Sequence, residues 1–248
     1  MSQERSYLDT NIIFHRKLST KDIIATIESA IGHTFTYCSA FVVAEHKRVF
    51  LQTMRLLWVV FKENDSIDEV LKNIENHQWR SSQEKDRCMK IFNWFTANKN
   101  STKDHTIAQL ENMIFSYDSF HFGDIDVLES EINCPLARIK INSRKELMNV
   151  SLICPLRCSI SDFLRNQRES LIQVQKGIEK INHLQLVVAI LKKIDNNPED
   201  CDENDCRTLA DTIIILEAPE DFLICSNNGR DFNPISKALG KKFLFIRY

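Results

Sequence analysis

The sequence predicts an α/β protein in which helices flank a parallel sheet and a large, mostly helical insertion interrupts the chain. Strand-like apolar segments alternate with helix-like segments near both ends, whereas the middle shows mainly helical spacing of its apolar residues. Only five Gly and five Pro occur in 248 residues, which indicates many helices and few tight turns. We therefore expect residues 1–62 and 201–248 to form the sheet-containing part together, and residues 63–200 to form the insertion.

The N-terminal part begins with a short apolar segment that is typical of a buried strand and ends near Asp9. Isoleucines then recur at helical spacing up to Gly32, a residue type that commonly ends helices. A β-branched and aromatic segment and a long helical segment follow. The predicted elements are a strand within 6–14, a helix over 21–31, a strand over 34–39 and a helix from 39 to about 62.

Serines precede three helix-like segments of the insertion, and serine is favoured at the position that caps a helix start. These helices are expected to begin at Ser66, Ser81 and Ser101. Residues 133–158 are predicted to form a short hairpin or an irregular lobe, and residues 161–194 a further pair of helices. Four aromatic residues at helical spacing are expected in the core: Trp79, Trp94, Phe95 and Phe115.

The C-terminal part returns to strand–helix alternation. Because connections between parallel strands usually run through a helix, alternation at both ends of the chain predicts one parallel sheet. The predicted elements are a helix over 205–218, a strand over 221–226, a helix over 233–239 that ends at Gly240, and a strand over 242–246.

Composition excludes several classes of protein. With 43% hydrophobic and 27% charged residues the chain has the balance of a globular protein, and its formal net charge of -2 excludes a broad basic surface. Any nucleic acid must therefore be bound by local patches. The start MSQERSYLDTNIIF does not resemble a signal peptide, and no apolar run approaches the roughly 18 residues that span a bilayer. We expect a cytoplasmic protein with no membrane contact, whose eight cysteines are reduced thiols or metal ligands.

Four carboxylates are placed to meet at one edge of the predicted sheet. Functional groups of open parallel sheets gather at the carboxyl ends of the strands, and these acids follow or precede such ends: Asp9, Glu45, Asp211 and Asp231. A cluster of this kind repels itself unless a divalent cation neutralises it, and oxygen ligands favour Mg²⁺ or Mn²⁺. On the helix over 205–218, Asp205 is expected to cap the helix start, while Asp211 lies on an apolar face where a bound cation would compensate its charge.

Three segments resemble the PIN-domain family of metal-dependent ribonucleases. YLDTNIIF is similar to the opening PIN strand, CSAFVVAEHKRVF to the second PIN element, and DTIIILEAPEDFLICSNNGRDFNPISKALGKKF to the C-terminal PIN block. The likeness covers about residues 6–55 and 203–248, in the family's order. It implies a PIN-like sheet and the hydrolysis of phosphodiester bonds, usually of RNA, by water activated on a metal.

The resemblance also implies roles for individual residues. Many PIN sequences carry Asp where this chain has Asn228, so the fourth acid is assigned to Asp231; if Asp231 points away, three acids remain. The implied catalytic and metal-binding residues are Asp9, Glu45, Asp211 and Asp231, and the implied supporting residues are Asn11, Ser226 and Asn228. In the basic run after Glu45, Lys47 and Arg48 are candidate phosphate contacts, although such a run is also typical of a solvated helix face.

The cysteines fall into two groups. Those in apolar patterns are expected in the core: Cys38, Cys88 and Cys225. The others lie in polar, irregular stretches: Cys134, Cys154, Cys158, Cys201 and Cys206. The spacing Cys154-x3-Cys158 fits half of a structural Zn²⁺ site, which Cys134 with Cys206 or Cys201 could complete, and free thiols are the alternative.

The sequence thus favours a metal-dependent endoribonuclease. The alternatives are a catalytically weak PIN-like module that acts as an interaction or regulatory subunit, and a helical partner-binding protein whose acids are incidental. Expected partners are RNA, with DNA as an alternative, and a separate restraining protein such as an antitoxin if the enzyme is a toxin; it could equally be a defence effector or a processing enzyme. An oligomer is compatible with the sequence.

Overall fold

A five-stranded, all-parallel sheet forms the centre of the protein. The computed structural model describes residues 4–32, 34–79, 81–97, 102–154 and 158–248. The strands lie in the order β3-β2-β1-β4-β5, and each neighbouring pair is parallel. Their bounds are β1 Arg5–Leu8, β2 Phe35–Ser39, β3 Asp126–Leu128, β4 Leu223–Ser226 and β5 Phe243–Phe245. The predicted α/β class with a parallel sheet is confirmed.

Helices flank the sheet and make up most of the insertion. Their bounds are α1 Thr10–Lys17, α2 Lys21–Ile31, α3 Ala40–His46, α4 Gln52–Glu63, α5 Ile67–Asn76, α6 Ser82–Thr96, α7 Lys103–Phe115, α8 Tyr117–Phe122, α9 Arg144–Asn149, α10 Ile160–Asn166, α11 Arg168–Ile178, α12 Gln185–Asn196, α13 Glu203–Thr208, α14 Ala210–Glu217 and α15 Gly229–Ala238. A π-helical segment, Lys47–Leu51, joins α3 to α4. No helix in the described ranges is both long enough and apolar enough to cross a membrane.

The predicted helix caps of the insertion are confirmed where the structure describes them. The hydroxyls of Ser66 and Ser81 each accept a hydrogen bond from a backbone N–H three residues on, at 3.2 Å. Ser101 lies outside the described residues, and Thr102 occupies the cap of α7. Polar side chains at these positions satisfy backbone donors that have no partner within the helix, which explains why the helices begin there.

The structure differs from the sequence prediction at several elements. The first strand ends at Leu8, in agreement with the predicted end near Asp9, but residues 10–14 of its predicted range belong to α1. The insertion contributes β3, whose three residues are too few to show the alternation that marks a strand. The predicted pair of helices over 161–194 is three helices, and the helix over 205–218 is interrupted at Leu209 into α13 and α14.

The segment 133–158 is irregular, as one of the two predictions had it, and not a hairpin. Its described residues contain a short 3₁₀ turn at Pro135–Arg138 and the helix α9, and none of them lies in a strand. A hairpin requires two neighbouring strands joined by a tight turn. The 3₁₀ turn that begins at Pro135 and the helix α9 occupy the places where these strands would lie.

The insertion packs against the sheet-containing part through α4. Helix α6 lies on α4, and the rings of Phe61 and Phe92 stack with centroids 5.9 Å apart. The core prediction holds for Phe95, whereas Trp79 and Phe115 are only half-buried. Trp94 is 39% exposed, so the prediction that it is a core residue is wrong. The packing of α6 on α4 sets the insertion beside the carboxyl ends of the strands.

Candidate acidic active site

The strand order creates a crevice beside β1. From β1 the chain adds β2 and β3 on one side of the sheet and later β4 and β5 on the other side. The direction in which strands are added therefore reverses between β1 and β4. Ligands of open α/β sheets bind at such a switch point, outside the carboxyl ends of the strands. Asp9 directly follows β1, and Ser226 ends β4. The Ser226 hydroxyl donates to Oδ2 of Asp9 at 2.7 Å and fixes this carboxylate in the crevice.

Glu45 reaches the same crevice from α3. The hydroxyl of Ser39 caps this helix by accepting from the backbone N–H of Val42 at 3.4 Å. Glu45 lies close to two turns further on, and the Thr10 hydroxyl, beside Asp9, donates to its carboxylate. The strand end, the cap and the helical period thus position the second predicted acid.

Asp211 and Asp231 are joined by one amide. The side-chain NH₂ of Asn228 donates to Oδ2 of Asp211 at 2.8 Å and to Oδ2 of Asp231 at 3.0 Å. A carboxylate without a proton can only accept, so the NH₂ group of Asn228 must be the one that faces both acids. Asp231 also lies 3.2 Å from Nε2 of His183.

All four predicted acids line one cavity of about 570 Å³. The predicted supporting residues Asn11 and Asn228 line it as well, whereas Ser226 is fully buried beneath Asp9. Asn227, which the sequence prediction did not include, adds a buried Oδ1 atom that has no hydrogen-bond partner among the described residues. This oxygen is a buried acceptor on a residue of the cavity wall.

The buried acids raise one another's pKa. Burial, followed by repulsion from Glu45, raises the pKa of Asp9 to about 7, while the hydrogen bond from Ser226 lowers it. Burial also raises the pKa of Asp211 well above its usual range, with further repulsion from Asp9, Glu45 and Asp231. Both shifts have the same meaning: the site accommodates its full negative charge poorly unless a cation or protons compensate it.

The donor set fits a hard divalent cation. No group of three or more His, Cys, Asp and Glu side chains that could hold a metal ion occurs within the described ranges. The cavity is nevertheless lined by four carboxylates and by the amide side chains of Asn11, Asn227 and Asn228, and carboxylate and amide oxygens are the ligand types that Mg²⁺ and Mn²⁺ prefer. An ion that bound both Asp211 and Asp231 would have to take over the place of the Asn228 NH₂ group between them.

Positive charge surrounds the acids at the cavity wall. Arg48 lies 3.9 Å from Glu45. Arg87 of α6 lies over the ring of Phe50, with 5.2 Å from its Cζ atom to the ring centroid. Lys90 and Arg230 complete the cationic lining. The sequence prediction missed Arg87 and Lys90, because helical spacing within the insertion does not reveal which neighbour α6 packs against.

One residue of the same basic run has a structural role instead. Lys47 is 1% exposed and donates to the carbonyls of Ala137 and Ile139 at 2.8 and 2.7 Å, and it pairs with Asp118. Lys47 is therefore unavailable to a substrate phosphate, contrary to the sequence prediction. The run is not a solvated face either, since Lys47 is buried and the Arg48 side chain is only 12% exposed. Of the two predicted residues, only Arg48 remains near the acids.

The role predicted for Asp205 also needs correction. Asp202 caps α13: its carboxylate accepts from the N–H of Asp205 at 2.8 Å, and the Asp205 carboxylate accepts from the N–H of Asp202 at 3.2 Å. This reciprocal arrangement is a capping box, whose sequence signal is an acid at both the first and the fourth position. Asp205 additionally pairs with Lys193 at 2.6 Å. It therefore serves the helix start, as expected, but as the partner of the cap and not as the cap itself.

The cysteines of the irregular lobe come within electrostatic reach of one another. Burial, and then the neighbouring thiols of Cys158 and Cys154, raise the pKa of Cys134 to about 11. Burial, Cys201 and the same two thiols raise the pKa of Cys206. All eight cysteines are free thiols, and the three expected in the core are buried there: Cys38, Cys88 and Cys225.

Comparison with protein-family models gives no match for this chain, and comparisons with curated proteins and with solved structures likewise find no similar protein.

Proposed function

We propose that this protein is a PIN-like, metal-dependent endonuclease that hydrolyses phosphodiester bonds of RNA. One observation carries the proposal: Asp9, Glu45, Asp211 and Asp231 lie far apart in the sequence yet line a single cavity at the switch point of a parallel sheet. Burial and mutual repulsion raise the pKa of Asp9 and Asp211, and such perturbed carboxylates in a cleft are typical of functional sites.

The acids and their hydrogen-bond partners would act as a preorganised ligand set. Mg²⁺ or Mn²⁺ bound there would supply activation of water and neutralisation of charge on the phosphate. Ser226 holds Asp9 and Thr10 holds Glu45, so neither carboxylate loses much rotational freedom when a ligand binds. Asn228 holds the other two acids in the same way, at the opposite side of the cavity.

The cations at the cavity wall would orient the phosphate chain. Arg87, Lys90 and Arg230 line the cavity, and Arg48 lies 3.9 Å from Glu45, beside acids that by themselves would repel a polyanion. Arginine forms charge-assisted, bidentate hydrogen bonds with phosphate oxygens, which fixes the strand as well as attracting it. His15, which also lines the cavity, is held neutral near pH 7, because burial, with a contribution from Lys90, lowers its pKa to about 4. It can accept or donate a hydrogen bond there without adding charge.

Cleavage of a labelled single-stranded RNA with Mn²⁺, with Mg²⁺ and with excess chelator tests this proposal. We expect cleavage that requires the metal and that is lost in Asp9→Asn, because a neutral amide keeps the shape of the ligand but removes its charge. Asp126→Asn, at an exposed carboxylate on β3, is the matched control and should cleave normally. Cleavage that persists in chelator would refute the proposal. Metal-dependent RNA binding without cleavage would instead support the alternative of a catalytically weak module, and cleavage of single-stranded DNA alone would change the substrate.

We also propose a structural Zn²⁺ ion at the irregular lobe, held by Cys134, Cys154, Cys158 and either Cys206 or Cys201. Support comes from the mutual influence of these thiols on their pKa values. Zinc binds cysteine as thiolate, so an ion there would reverse the protonated state that burial otherwise favours. It would also connect the lobe to the start of α13.

A further inference from the structure

A second cavity opens beside the acid cavity, between α4 and the start of α6. Its volume is about 420 Å³. Val49 and Arg87 line both cavities, so the two cavities are neighbours that share these residues as a common wall. A polymer that extends from the acid cavity past Val49 and Arg87 therefore reaches the second one.

The charge of the second cavity is opposite to that of the first. Three arginines line it, Arg48, Arg87 and Arg207, together with one acid, Glu84. Arg207 forms an ion pair with Glu203 on its own helix. Arg87 lines both cavities, and Arg48 lies 3.9 Å from Glu45 of the acid cavity. Burial lowers the pKa of Arg87, while the charges of Glu84 and then Glu45 raise it.

An aromatic platform lies within this cationic cavity. Trp79 is half-buried, and its Nε1 atom donates to the carbonyl of Ile74 at 2.9 Å, which fixes the plane of the indole ring. The exposed ring of His77 stands edge-on to it, with centroids 4.6 Å apart and planes at 67°. Proteins that bind single-stranded nucleic acids combine aromatic rings with cationic side chains: bases stack on the ring and phosphates contact the cations. A fixed indole beside arginines provides this combination.

We propose that this second cavity is a subsite for an unpaired nucleotide of the strand that is cleaved in the acid cavity. The base stacks on Trp79, and the phosphate between this nucleotide and the cleaved bond lies at Arg87 and Arg48. The inference rests on the proposed nuclease function and adds where the strand runs and which part of the insertion binds it. A base paired in a duplex cannot leave its stack to enter a cavity without first being unpaired, so the subsite selects single strands.

Binding can be measured without cleavage, which separates the two proposals. The probe is a labelled single-stranded RNA of about twelve nucleotides, followed by fluorescence anisotropy with the full-length protein in excess chelator. Trp79→Leu, which removes the aromatic face but keeps an apolar side chain, should weaken binding roughly five- to 150-fold. Trp79→Phe, which keeps an aromatic face, should lose much less. The matched control is Trp94→Leu, at the exposed tryptophan of α6 that packs edge-on against Phe95.

The charged side of the subsite has its own readout. Arg87→Gln should reduce the slope of log affinity against log salt by roughly 0.7, the value for one phosphate contact in a single strand. Arg168→Gln, at a surface arginine of α11 that pairs with Asp195 at 2.7 Å, should leave the slope unchanged. The same RNA annealed to its complement should bind more weakly than the single strand, and the loss in Trp79→Leu should be absent for the duplex. A single-stranded DNA of the same sequence shows whether the subsite requires the ribose hydroxyl.

The outcomes distinguish the subsite from the nuclease. If Trp79→Leu and Trp79→Phe, both folded by circular dichroism, bind RNA as the unmodified protein does, the subsite is refuted even where cleavage is normal. Equal loss in Trp94→Leu would also refute it, because the effect would not be local. If Trp79→Leu binds weakly while the unmodified protein never cleaves RNA with Mn²⁺, the subsite is retained and the proposed nuclease activity is refuted.

Discussion

Replacing Asp9 by Asn should stabilise the metal-free protein at alkaline pH, although it should abolish activity. The carboxyl group of Asp9 is 2% exposed, and burial with repulsion from Glu45 raises its pKa from 3.8 to about 7. Between these two values the folded state holds a proton that the unfolded state has released, so the stability due to this group is present below about pH 4 and is lost as pH rises to about 7.

The size of the effect follows from the shift. A difference of about three pKa units corresponds to roughly 4 kcal/mol when the pH is well above 7. At pH 5 Asp9 is still protonated in the folded protein, and the cost is only about 1.5 kcal/mol. Since 1 kcal/mol shifts the melting temperature of a chain of this size by roughly 2–4 °C, Asp9→Asn should melt on the order of 5–15 °C higher than the unmodified protein at pH 8 in chelator.

Thermal melting at pH 5 and pH 8, each with chelator and with Mn²⁺, measures these quantities. The gain in Asp9→Asn should shrink at pH 5, and Mn²⁺ should stabilise the unmodified protein much more than the variant, because only the former offers the full charge to the ion. Asp126→Asn, at an exposed carboxylate, should melt as the unmodified protein does in all four conditions. A variant that melts lower in chelator at pH 8, or a gain that is equal at both pH values, would refute the electrostatic account.

Three further predictions test other parts of the structure. Asp211→Asn should abolish metal-dependent RNA cleavage with the fold intact, whereas Asp202→Ala should cost about 1 kcal/mol of stability through the lost cap of α13 and leave turnover unchanged; the reverse order in turnover assays would move the site to α13. Lys47→Met should cost about 2–3 kcal/mol in denaturant unfolding, since buried carbonyls lose their donor, with RNA affinity unchanged; weakened RNA binding at full stability would restore its role as a phosphate contact. Elemental analysis of protein purified without chelators should give about one zinc per chain and less in Cys158→Ser, and a value well below one in the unmodified protein would dismiss the zinc proposal.

The sequence predicted those residues of the candidate site whose place depends on nearby residues alone, such as a strand end, a helix cap or the helical period. Asp9 follows an apolar strand, and a strand end is visible where apolar residues give way to polar ones. Glu45 follows from the Ser39 cap and the helical period, and both landmarks are confirmed. The hydrogen bonds from Ser226 and Asn228 agree with the supporting roles that the resemblance implied.

The parts that the sequence could not predict depend on packing between distant segments. Arg87 reaches the acids only because α6 lies on α4, and the apolar stripe of a helix does not specify its partner. Lys47 looks like one member of a basic run, but it lies at the start of a π-helical segment, where the helical register changes and the side chain turns to the lobe carbonyls. Positions after such a change cannot be projected from a regular 3.6-residue period.

The cost of the acid cluster favours the proposed nuclease over the interpretation in which the acids are incidental. A fold that needed no cation would gain stability from a neutral residue at Asp9 or Asp211, because burial and repulsion oppose both charges. The structure instead holds these carboxylates in place with Ser226 and Asn228, and it sets Arg87 at the junction with a cavity that carries an aromatic platform. Buried, mutually repelling charges lower stability, and here they lie where ligands bind in parallel sheets. Such a cost is expected where function opposes stability. A helical scaffold for partner proteins would give no reason to keep a buried, self-repelling set of acids beside a cavity lined by arginines.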